Sequence, residues 1–432
     1  MSATTPGNRF IPFRKNDLID MGLHKGPLPA AHAAELRELG RILEALLHFE
    51  YHQLLEKLKD AYAPFNPDAD TRRLHPLDDT ALQRHQADFI REMTTLLNAA
   101  NFEKITPDDL AAALKETSLF KIRLSVDFND FEEVLFFRRG ESTRQETLVT
   151  WGGWRRRPIT FTNYERVVVY IKFKPQAYFD ERRRRDLPYK PGATLIKLFR
   201  NVPKADLEML FPNSEVRMQT IDKLIIGVPA AVSGAVILVT KLGASLVLLA
   251  SLLAFWGGLR ETPVEVNQQH LVALGLGLGT LAGFLFKQIS KFKNRKIRFM
   301  KALAENLYFK NLDNNAGVFH HLIDTAEEEE FKEAILAYIF LAAAPRGLTR
   351  PALDQAVEDW LASGWDCRID FEVDDALDKL ARWGLLHREG ERLQVLPPAD
   401  AKAQLDRIWD TYFEYPPSDR RKGEPVAQTT PI

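Results

Sequence analysis

Apolar residues recur at three- and four-residue spacing through the N-terminal part of the chain. A stripe of leucines runs through residues 30–62 and stops before Pro64, which predicts one long amphipathic helix ended by the proline. The same spacing at residues 78–99 predicts a second helix. Thr106, followed by a proline and two acids, is typical of a helix start. We therefore expect residues 1–120 to form a helical region.

The apolar period changes to two between residues 121 and 220. Glycines at Gly140 and at the Gly152-Gly153 pair indicate turns between the strand-like segments. This pattern predicts a small antiparallel, β-rich domain at residues 121–220. The strand-like segments are 121–128, 133–137, 146–151 and 166–173.

The longest apolar part of the chain lies at residues 221–287. Two runs, at about 222–242 and 269–287, approach the roughly 20 residues that cross a bilayer, whereas 243–259 is ambiguous. A buried pair of core helices is the alternative, but core helices are usually shorter. We expect an α+β membrane protein in which these two runs form a transmembrane helical hairpin.

Six cations follow the second apolar run directly. The positive-inside rule places such a cluster in the cytoplasm, and the N-terminus shows no apolar signal segment. Two spans with both termini cytoplasmic then predict a bacterial inner-membrane protein with the lipid bilayer as a partner. The cations expected to set the topology and to meet lipid head groups are Lys287, Lys291, Lys293, Arg295, Lys296 and Arg298.

Three further segments complete the predicted organisation. Residues 288–326 are expected to form a basic amphipathic helix and a connector. Residues 327–415 show three helical patterns followed by a hairpin, the order of a winged helix. Its third helix is acidic, which argues against binding to nucleic acid. Residues 416–432 are polar and are expected to be a disordered tail.

Gly275, Gly279 and Gly283 lie four residues apart within the second apolar run. This spacing places the three glycines on one face of a helix, where a second helix can approach closely. The pattern predicts helix packing there, either within the chain or between two copies of it.

The overall composition excludes several chemistries. The chain has 432 residues, and its 58 Lys+Arg against 59 Asp+Glu give a net charge of -1. Cys367 is its single cysteine, so an intrachain disulfide and a cysteine-rich metal site are excluded. The adjacent Asp366 is expected to raise the pKa of the thiol and to lower its reactivity.

Two groups of residues are weak candidates for a metal site. Neither has the spacing of a defined metal motif, so a solvated polar face is favoured for both and no cofactor is expected. Phosphate-loop, nucleophile-elbow and kinase motifs do not occur in the sequence. The two groups are Glu44, His48, His52 and Glu56, and His320, His321 and Asp324.

Four segments resemble an uncharacterised family of membrane proteins, a domain of unknown function that includes a two-span protein of animal mitochondria and plant organelle proteins. The resemblance extends over nearly the whole chain. It implies a membrane location and a shared architecture, but no catalytic residues. The segments are Arg9-Phe-Ile-Pro-Phe-Arg-Lys, Phe199-Arg-Asn-Val-Pro-Lys-Ala-Asp-Leu-Glu-Met-Leu-Phe-Pro, Tyr308-Phe-Lys-Asn-Leu-Asp-Asn-Asn and Glu328-Glu-Glu-Phe-Lys-Glu-Ala-Ile-Leu-Ala-Tyr.

These observations support three hypotheses of function. The favoured one is a non-enzymatic interaction or scaffold protein that presents cytoplasmic domains at the membrane surface to a protein partner or to a second copy. The alternatives are an oligomeric transport or channel subunit and a membrane-surface enzyme with an unrecognised site. Absence of bound metal in the purified protein would count against the enzyme, and a monomeric state would count against the channel subunit.

Overall fold

The structure is a computed structural model of the chain. It describes residues 8–413, apart from residues 25, 72–73, 76, 116–122, 151–154, 185–186 and 188 and most of 218–267, where scattered positions between 232 and 258 are described. The first predicted span, 222–242, and the ambiguous segment 243–259 therefore lie largely outside the described residues. The expected tail at 416–432 lies wholly outside them.

The described helices and strands alternate in an α+β order. The helices are α1 Lys15–His24, α2 Ala33–Tyr62, α3 Asp79–Ala99, α4 Pro107–Lys115, α5 Gln176–Glu181, α6 Gln268–Lys310, α7 Ala316–Ala342, α8 Arg350–Trp365, α9 Val373–Arg382 and α10 Pro398–Thr411. The strands are β1 Glu103–Lys104, β2 Arg123–Ser125, β3 Phe131–Thr150, β4 Arg155–Phe173, β5 Thr194–Pro203, β6 Glu215–Arg217, β7 Asn311–Asn314, β8 Leu386–Glu389 and β9 Arg392–Val395.

The described residues divide into two compact units. Unit 1 takes its residues from 1–104, 137–141 and 313–432, and unit 2 from 105–136 and 142–312. Unit 1 is mainly helical, and unit 2 contains most of the β structure together with α6.

Helix α7 forms the centre of unit 1. Helices α1, α2, α3, α8 and α9 all pack against it, and every residue of α7 from Glu329 to Leu341 is buried. A helix covered on all sides has no solvated face. Any charged residue in this part of α7 must therefore find its partners inside the unit.

The leucine stripe of the N-terminal region explains how α2 packs. Its members are at most 7 % exposed, and burying each leucine side chain stabilises the fold by about 1.5–3 kcal/mol. The stripe faces α7, α3 and α10. Its buried members are Leu36, Leu39, Leu43, Leu46, Leu47, Leu55 and Leu58. Helix α3 begins at the predicted place, where the Asp78 side chain accepts a hydrogen bond from the backbone N–H of Ala81 at 2.7 Å.

The main sheet has five strands in the order β1-β3-β4-β5-β7 and is antiparallel. Strands β4 and β5 pair over nine described residue pairs, with Val167 opposite Phe199. The strands are longer than the sequence indicated, because β3 continues through Gly140 instead of turning there. Gly140 has a φ of 74°, a conformation that glycine adopts without steric cost.

The core of unit 2 is aromatic, and a buried aspartate lies beside it. Phe131 and Phe211 stack there at 5.6 Å. Asp130, fully buried beside them, accepts hydrogen bonds from Arg184 Nη1 at 2.5 Å, Tyr189 Oη at 2.8 Å and Asn213 Nδ2 at 3.0 Å. Three donors balance the carboxylate, so this buried charge ties three segments of the chain to the core.

The C-terminal part of unit 1 contains the predicted helices and hairpin as α7, α8, α9 and the pair β8–β9, which turns at Gly390. Two features differ from the expectation. Helix α7 starts at Ala316 and not near Glu327, and a further helix, α10, follows the hairpin and packs on α2. Pro398 in the first turn of α10 supplies the fixed φ that favours a helix start.

The prediction of a membrane protein is wrong. Within the described parts of the chain, none of the helices combines the length and the apolar character that crossing a bilayer requires. The second predicted span, 269–287, lies in α6, whose uncharged part from Leu271 to Phe286 has about 16 residues and includes four glycines. At about 1.5 Å per residue it covers about 24 Å, less than the roughly 30 Å of a hydrocarbon core.

The same finding contradicts the fold class of an α+β membrane protein, the transmembrane hairpin and the inner-membrane location with both termini cytoplasmic. The basic residues behind Phe286 belong to the same continuous helix, α6, which runs on to Lys310. The expected basic helix at 288–326 is therefore the second half of α6, followed by β7 and the start of α7.

Candidate functional site

The charged run in the middle of α7 is the feature of unit 1 with the most unusual chemistry. Glu329, Glu330, Lys332 and Glu333 are each at most 8 % exposed. The sequence pattern indicated that these acids cap a helix start. In the structure the helix begins about three turns earlier, so the same residues lie inside the unit, where buried charges need partners.

Glu329 faces the N-terminal segment of the chain. Its carboxylate accepts hydrogen bonds from Arg139 Nη2 at 2.9 Å, Lys332 Nζ at 3.0 Å and the backbone N–H of Ile11 at 2.9 Å. Lys332 Nζ also donates to the carbonyl of Ile11 at 3.2 Å. A glutamate and a lysine of one helix turn thus hold both backbone groups of a single residue far away in sequence.

Glu330 and Glu333 face Lys379 of α9. The Lys379 ammonium lies 2.9 Å from a carboxylate oxygen of each, and Asn101 Nδ2 donates to the other oxygen of Glu333 at 2.8 Å. Lys379 is 6 % exposed. Burial lowers the pKa of its amine to about 7, with Arg382 acting in the same direction, and burial raises the pKa of Glu333 well above its ordinary value. Both directions favour a neutral, hydrogen-bonded acid–amine pair over an ion pair.

A polar cleft of about 330 Å³ opens above Lys379. It is lined by side chains of α3, α7 and α9: Thr95, Asn98, Ala99, Glu330, Asp375, Asp378, Lys379 and Arg382. Carboxylate oxygens of Glu330, Glu333 and Asp375 lie within 4.8 Å of one another, close enough to share one cation. The Lys379 amine already lies 2.9 Å from two of these groups, so a cation would compete with it for their oxygens. An amine that is partly neutral near pH 7 can in principle act as a base or a nucleophile.

The predicted histidine–glutamate group on α2 does not converge on one point. Glu44 pairs with Lys15, and His48 Nδ1 lies 2.9 Å from Glu327 on α7. Glu56 pairs with Lys59 at 2.8 Å. Three of the four members therefore have separate partners, while His52 is exposed. The structure does not test the favoured interpretation, a solvated polar face with these residues as weak metal candidates.

The second weak metal group and the cysteine also have ordinary surroundings. His321 lies 3.4 Å from Asp313, while His320 and Asp324 are exposed on α7. Cys367 is half-buried, and burial raises the pKa of its thiol, with Asp366 adding to the effect. The raised pKa of Cys367 agrees with the effect expected from Asp366, although burial is the larger cause.

Helix α6 carries the most exposed apolar surface among the described residues. Its C-terminal end is held to unit 2 through Leu307, which packs on the core, and through Arg200, which donates to the carbonyl of Phe309 at 3.2 Å. The large apolar side chains along the helix are 42–76 % exposed: Leu271, Val272, Leu276, Leu278, Leu285, Phe286, Ile289, Ile297, Met300, Tyr308 and Phe309.

The predicted glycine face lies on this exposed side of α6. Among the described residues, a Cβ added at Gly275, Gly279 or Gly283 would meet no atom within 4 Å. The helix that these glycines were expected to accommodate is therefore not seen within the described chain. The predicted role of the basic residues in contacting lipid head groups is not tested by the structure. Of those six, Lys287, Lys291, Lys293 and Arg298 are exposed on α6.

The third helix of the predicted winged helix, α9, has an exposed acidic side. Its buried side packs on α7, and Asp374 and Asp378 lie exposed on the other side. Arg350 binds the Asp374 carboxylate in a bidentate manner at 2.5 and 2.6 Å. An acidic exposed face opposes a phosphate backbone; the prediction of no nucleic-acid partner itself is not tested by the structure.

Comparison with known families finds one partial match. A family model described as "Protein of unknown function (DUF3754)" matches residues 164–317, about a third of the chain, and no solved structure matches. The matched range contains two of the four segments on which the resemblance rested, 199–212 and 308–315. The family description names no activity, and nothing in it shows a membrane location.

Proposed function

We propose that this chain is a non-enzymatic interaction protein that self-associates through α6. The observation that carries the proposal is the row of large, exposed apolar side chains along this helix. Isolated apolar residues on a surface are ordinary, but a continuous apolar patch larger than a few hundred Å² usually marks an interaction site.

The patch is large and lies on one side of the helix. At about 100° per residue, all of the exposed apolar side chains except Phe309 fall within roughly half of the helix circumference. With their exposures they present on the order of 1,000 Å² of apolar area. Roughly two-thirds of it lies between Leu271 and Ile289, close to the roughly 800 Å² that each partner buries in a standard interface. Gly275, Gly279 and Gly283 fall in the same half, where they let a second helix approach closely.

The charge distribution along α6 favours a second copy of the chain in an antiparallel orientation. In a parallel pair the basic second halves of both helices, from Lys287 onward, would lie side by side and repel one another. In an antiparallel pair centred on Gly279, the two Lys287 residues would be about 24 Å apart, since each lies about 12 Å from the centre. That separation exceeds the Debye length of about 8 Å at physiological salt.

Sedimentation analysis of the full-length protein tests the proposal, with two variants that add the same charge at different positions around the helix. Phe286→Asp places a carboxylate near the centre of the apolar half and should weaken the dimer by about 100-fold or more, because a charge would be buried without a partner. Thr280→Asp lies at the margin of that half, exposed, and should leave the dimer largely intact. A wild-type protein that stays monomeric at all concentrations, or equal effects of both variants, would refute the proposal.

Disulfide trapping tests the orientation. In a Cys367→Ser background, an antiparallel pair centred on Gly279 brings Val272→Cys of one copy beside Phe286→Cys of the other. A mixture of the two variants should then form the mixed disulfide. Disulfides formed only within each separate variant would show a parallel pair instead.

A further inference from the structure

The segment Asn8–Phe13, which we name the strap, lies across the surface of unit 1 outside any helix or named strand, and Asn8 forms an isolated parallel bridge with Ile369. Only Ile11 is fully buried, at 1 % exposure, whereas the other five strap residues are half-buried or exposed. A surface segment with one buried anchor side chain resembles a bound peptide more closely than a core strand.

The backbone of the strap is held by side chains as much as by other backbone groups. Glu329 and Lys332 bind the N–H and the carbonyl of Ile11, and Asn101 Nδ2 donates to the carbonyl of Arg9 at 3.1 Å. One further bond is a backbone one: the N–H of Asp370 donates to the carbonyl of Asn8 at 3.1 Å. Bonds of this kind recognise an extended chain whatever its side chains.

The side chains of the strap meet a specific surface. The Arg9 guanidinium binds Glu372, which raises the pKa of Arg9 further. Phe10 lies under the Arg139 guanidinium at 4.5 Å. Phe13 meets the edge of Trp365 at 6.3 Å. The surface therefore selects a guanidinium, an aromatic ring, a buried aliphatic side chain and a second aromatic ring, in that order.

The buried charge beneath the strap stays balanced when the strap is removed. Glu329, which is fully buried, keeps its bonds to Arg139 and Lys332. Loss of the strap would leave Glu372 without Arg9, but Glu372 is only partly buried, whereas the fully buried Glu329 keeps its partners. The strap is followed directly by α1, whose Leu18 is fully buried, so that opening can stop at the start of this helix.

From these contacts we infer that the groove formed by α7, the start of α9 and Arg139 is a peptide-recognition site, which the strap occupies in cis. Its external ligand would be an extended protein segment with the same order of side chains: arginine, aromatic, aliphatic, proline, aromatic. Such a segment would compete with the strap, so that opening of the strap regulates access to the groove. This inference does not depend on the self-association of α6.

Fluorescence anisotropy with the full-length protein tests the groove directly. The probe is a labelled synthetic peptide with the sequence of residues 8–15. The protein variant Ile11→Ala loosens the strap, and it should bind the peptide at least about 10-fold more tightly than wild type does, since the wild-type groove is filled. The control peptide, with Ile11→Asp, should bind at least about 10-fold more weakly than the native sequence. Equal binding of the two peptides, or no binding to a folded Ile11→Ala variant, would overturn the inference.

Hydrogen exchange of the wild-type protein gives a second test that needs no variant to fold. The amide of Ile11 should exchange at least about 100-fold faster than the core amides of α7, because the strap opens while the unit stays folded. Added peptide should not protect residues outside the groove. If Ile11 exchanges as slowly as the α7 core, the strap opens only on global unfolding and the groove is not a binding site.

Discussion

Replacing Lys379 by methionine should be among the most destabilising single changes in unit 1. Methionine has a similar length and fills the same space, but it cannot donate a hydrogen bond. The change would leave one oxygen of Glu333 and one of Glu330 without their 2.9 Å partner. Both glutamates are buried, at 2 % and 8 % exposure, so water cannot easily take the place of the amine.

The expected cost follows from the protonation state of the pair. Removing one partner of a buried, charged pair costs about 3–5 kcal/mol, and leaving a buried neutral group unsatisfied costs about 1–3 kcal/mol. Because burial raises the pKa of Glu333 and lowers that of Lys379, the neutral form of the pair is also populated. We therefore expect Lys379→Met to lower the free energy of unfolding by about 3 kcal/mol, where the two ranges meet. For a unit of this size that corresponds to a fall in Tm of roughly 10 °C.

Urea unfolding of the full-length protein, followed by tryptophan fluorescence, measures this cost, since Trp383 is buried one turn beyond Lys379. Arg382→Met is the matched control, because Arg382 lies on the same helix but is exposed and pairs with Glu50 at the surface. Surface pairs contribute about 1 kcal/mol or less.

The double variant Lys379→Met/Glu333→Gln separates the pair from its surroundings. Glutamine cannot ionise and keeps an acceptor for Asn101, so the double variant should be about 1–2 kcal/mol more stable than Lys379→Met alone. The reasoning would be refuted if Lys379→Met lay within 1 kcal/mol of wild type, or if the double variant were less stable than the single one.

Two further predictions concern pH and unit 2. Lys379 has a folded pKa of about 7 against 10.5 for the free side chain, so the stability contributed by its neutral form is fully present above about pH 10.5 and is lost as the pH falls through 7. The wild type should therefore gain stability from about pH 7 to about pH 9.5 relative to Lys379→Met. Parallel curves of unfolding free energy against pH for the two proteins would contradict the shift. In unit 2, Asp130→Asn should cost about 3 kcal/mol in urea unfolding, since an amide N–H₂ at this buried position would face one of the three donors that bind the carboxylate. Asp127, an exposed neighbour 3.9 Å from Arg184, provides the control: Asp127→Asn should cost less than about 1 kcal/mol, and equal costs would disprove the special role of Asp130.

The elements that could be predicted from the sequence are those whose signal is local. The apolar spacing of α2 and of α3 acts within a few residues, and the structure contains both helices near the expected bounds. The alternation at residues 166–173 likewise appears in β4. The length of β3 was missed because Gly140 was interpreted as a turn, although a glycine with positive φ can also lie inside a strand.

The candidate site could not be predicted, because it depends on contacts between residues far apart in sequence. Glu329 meets Ile11 over 318 positions and Glu333 meets Asn101 over 232. The acids of α7 looked like a solvated helix start, since nothing local distinguishes a capping glutamate from a buried one. One signal was available. No proline lies between Ala316 and Glu327, and the single glycine there, Gly317, is the second residue of α7, so no residue near the acids marks a helix start at that point.

The apolar region at 269–287 shows why a run of apolar residues does not by itself define a span. Glycines add length to such a run without adding apolar area, and the charged residues from Lys287 onward continue the same helix α6. The exposed apolar side chains of α6 are the basis of the proposed self-association, because covering apolar surface that faces water is favourable at about 25 cal/mol per Å². Buried area does not convert directly into affinity, since association also costs translational, rotational and side-chain entropy. How closely a second helix can approach at Gly275, Gly279 and Gly283 therefore decides the strength of the proposed pair.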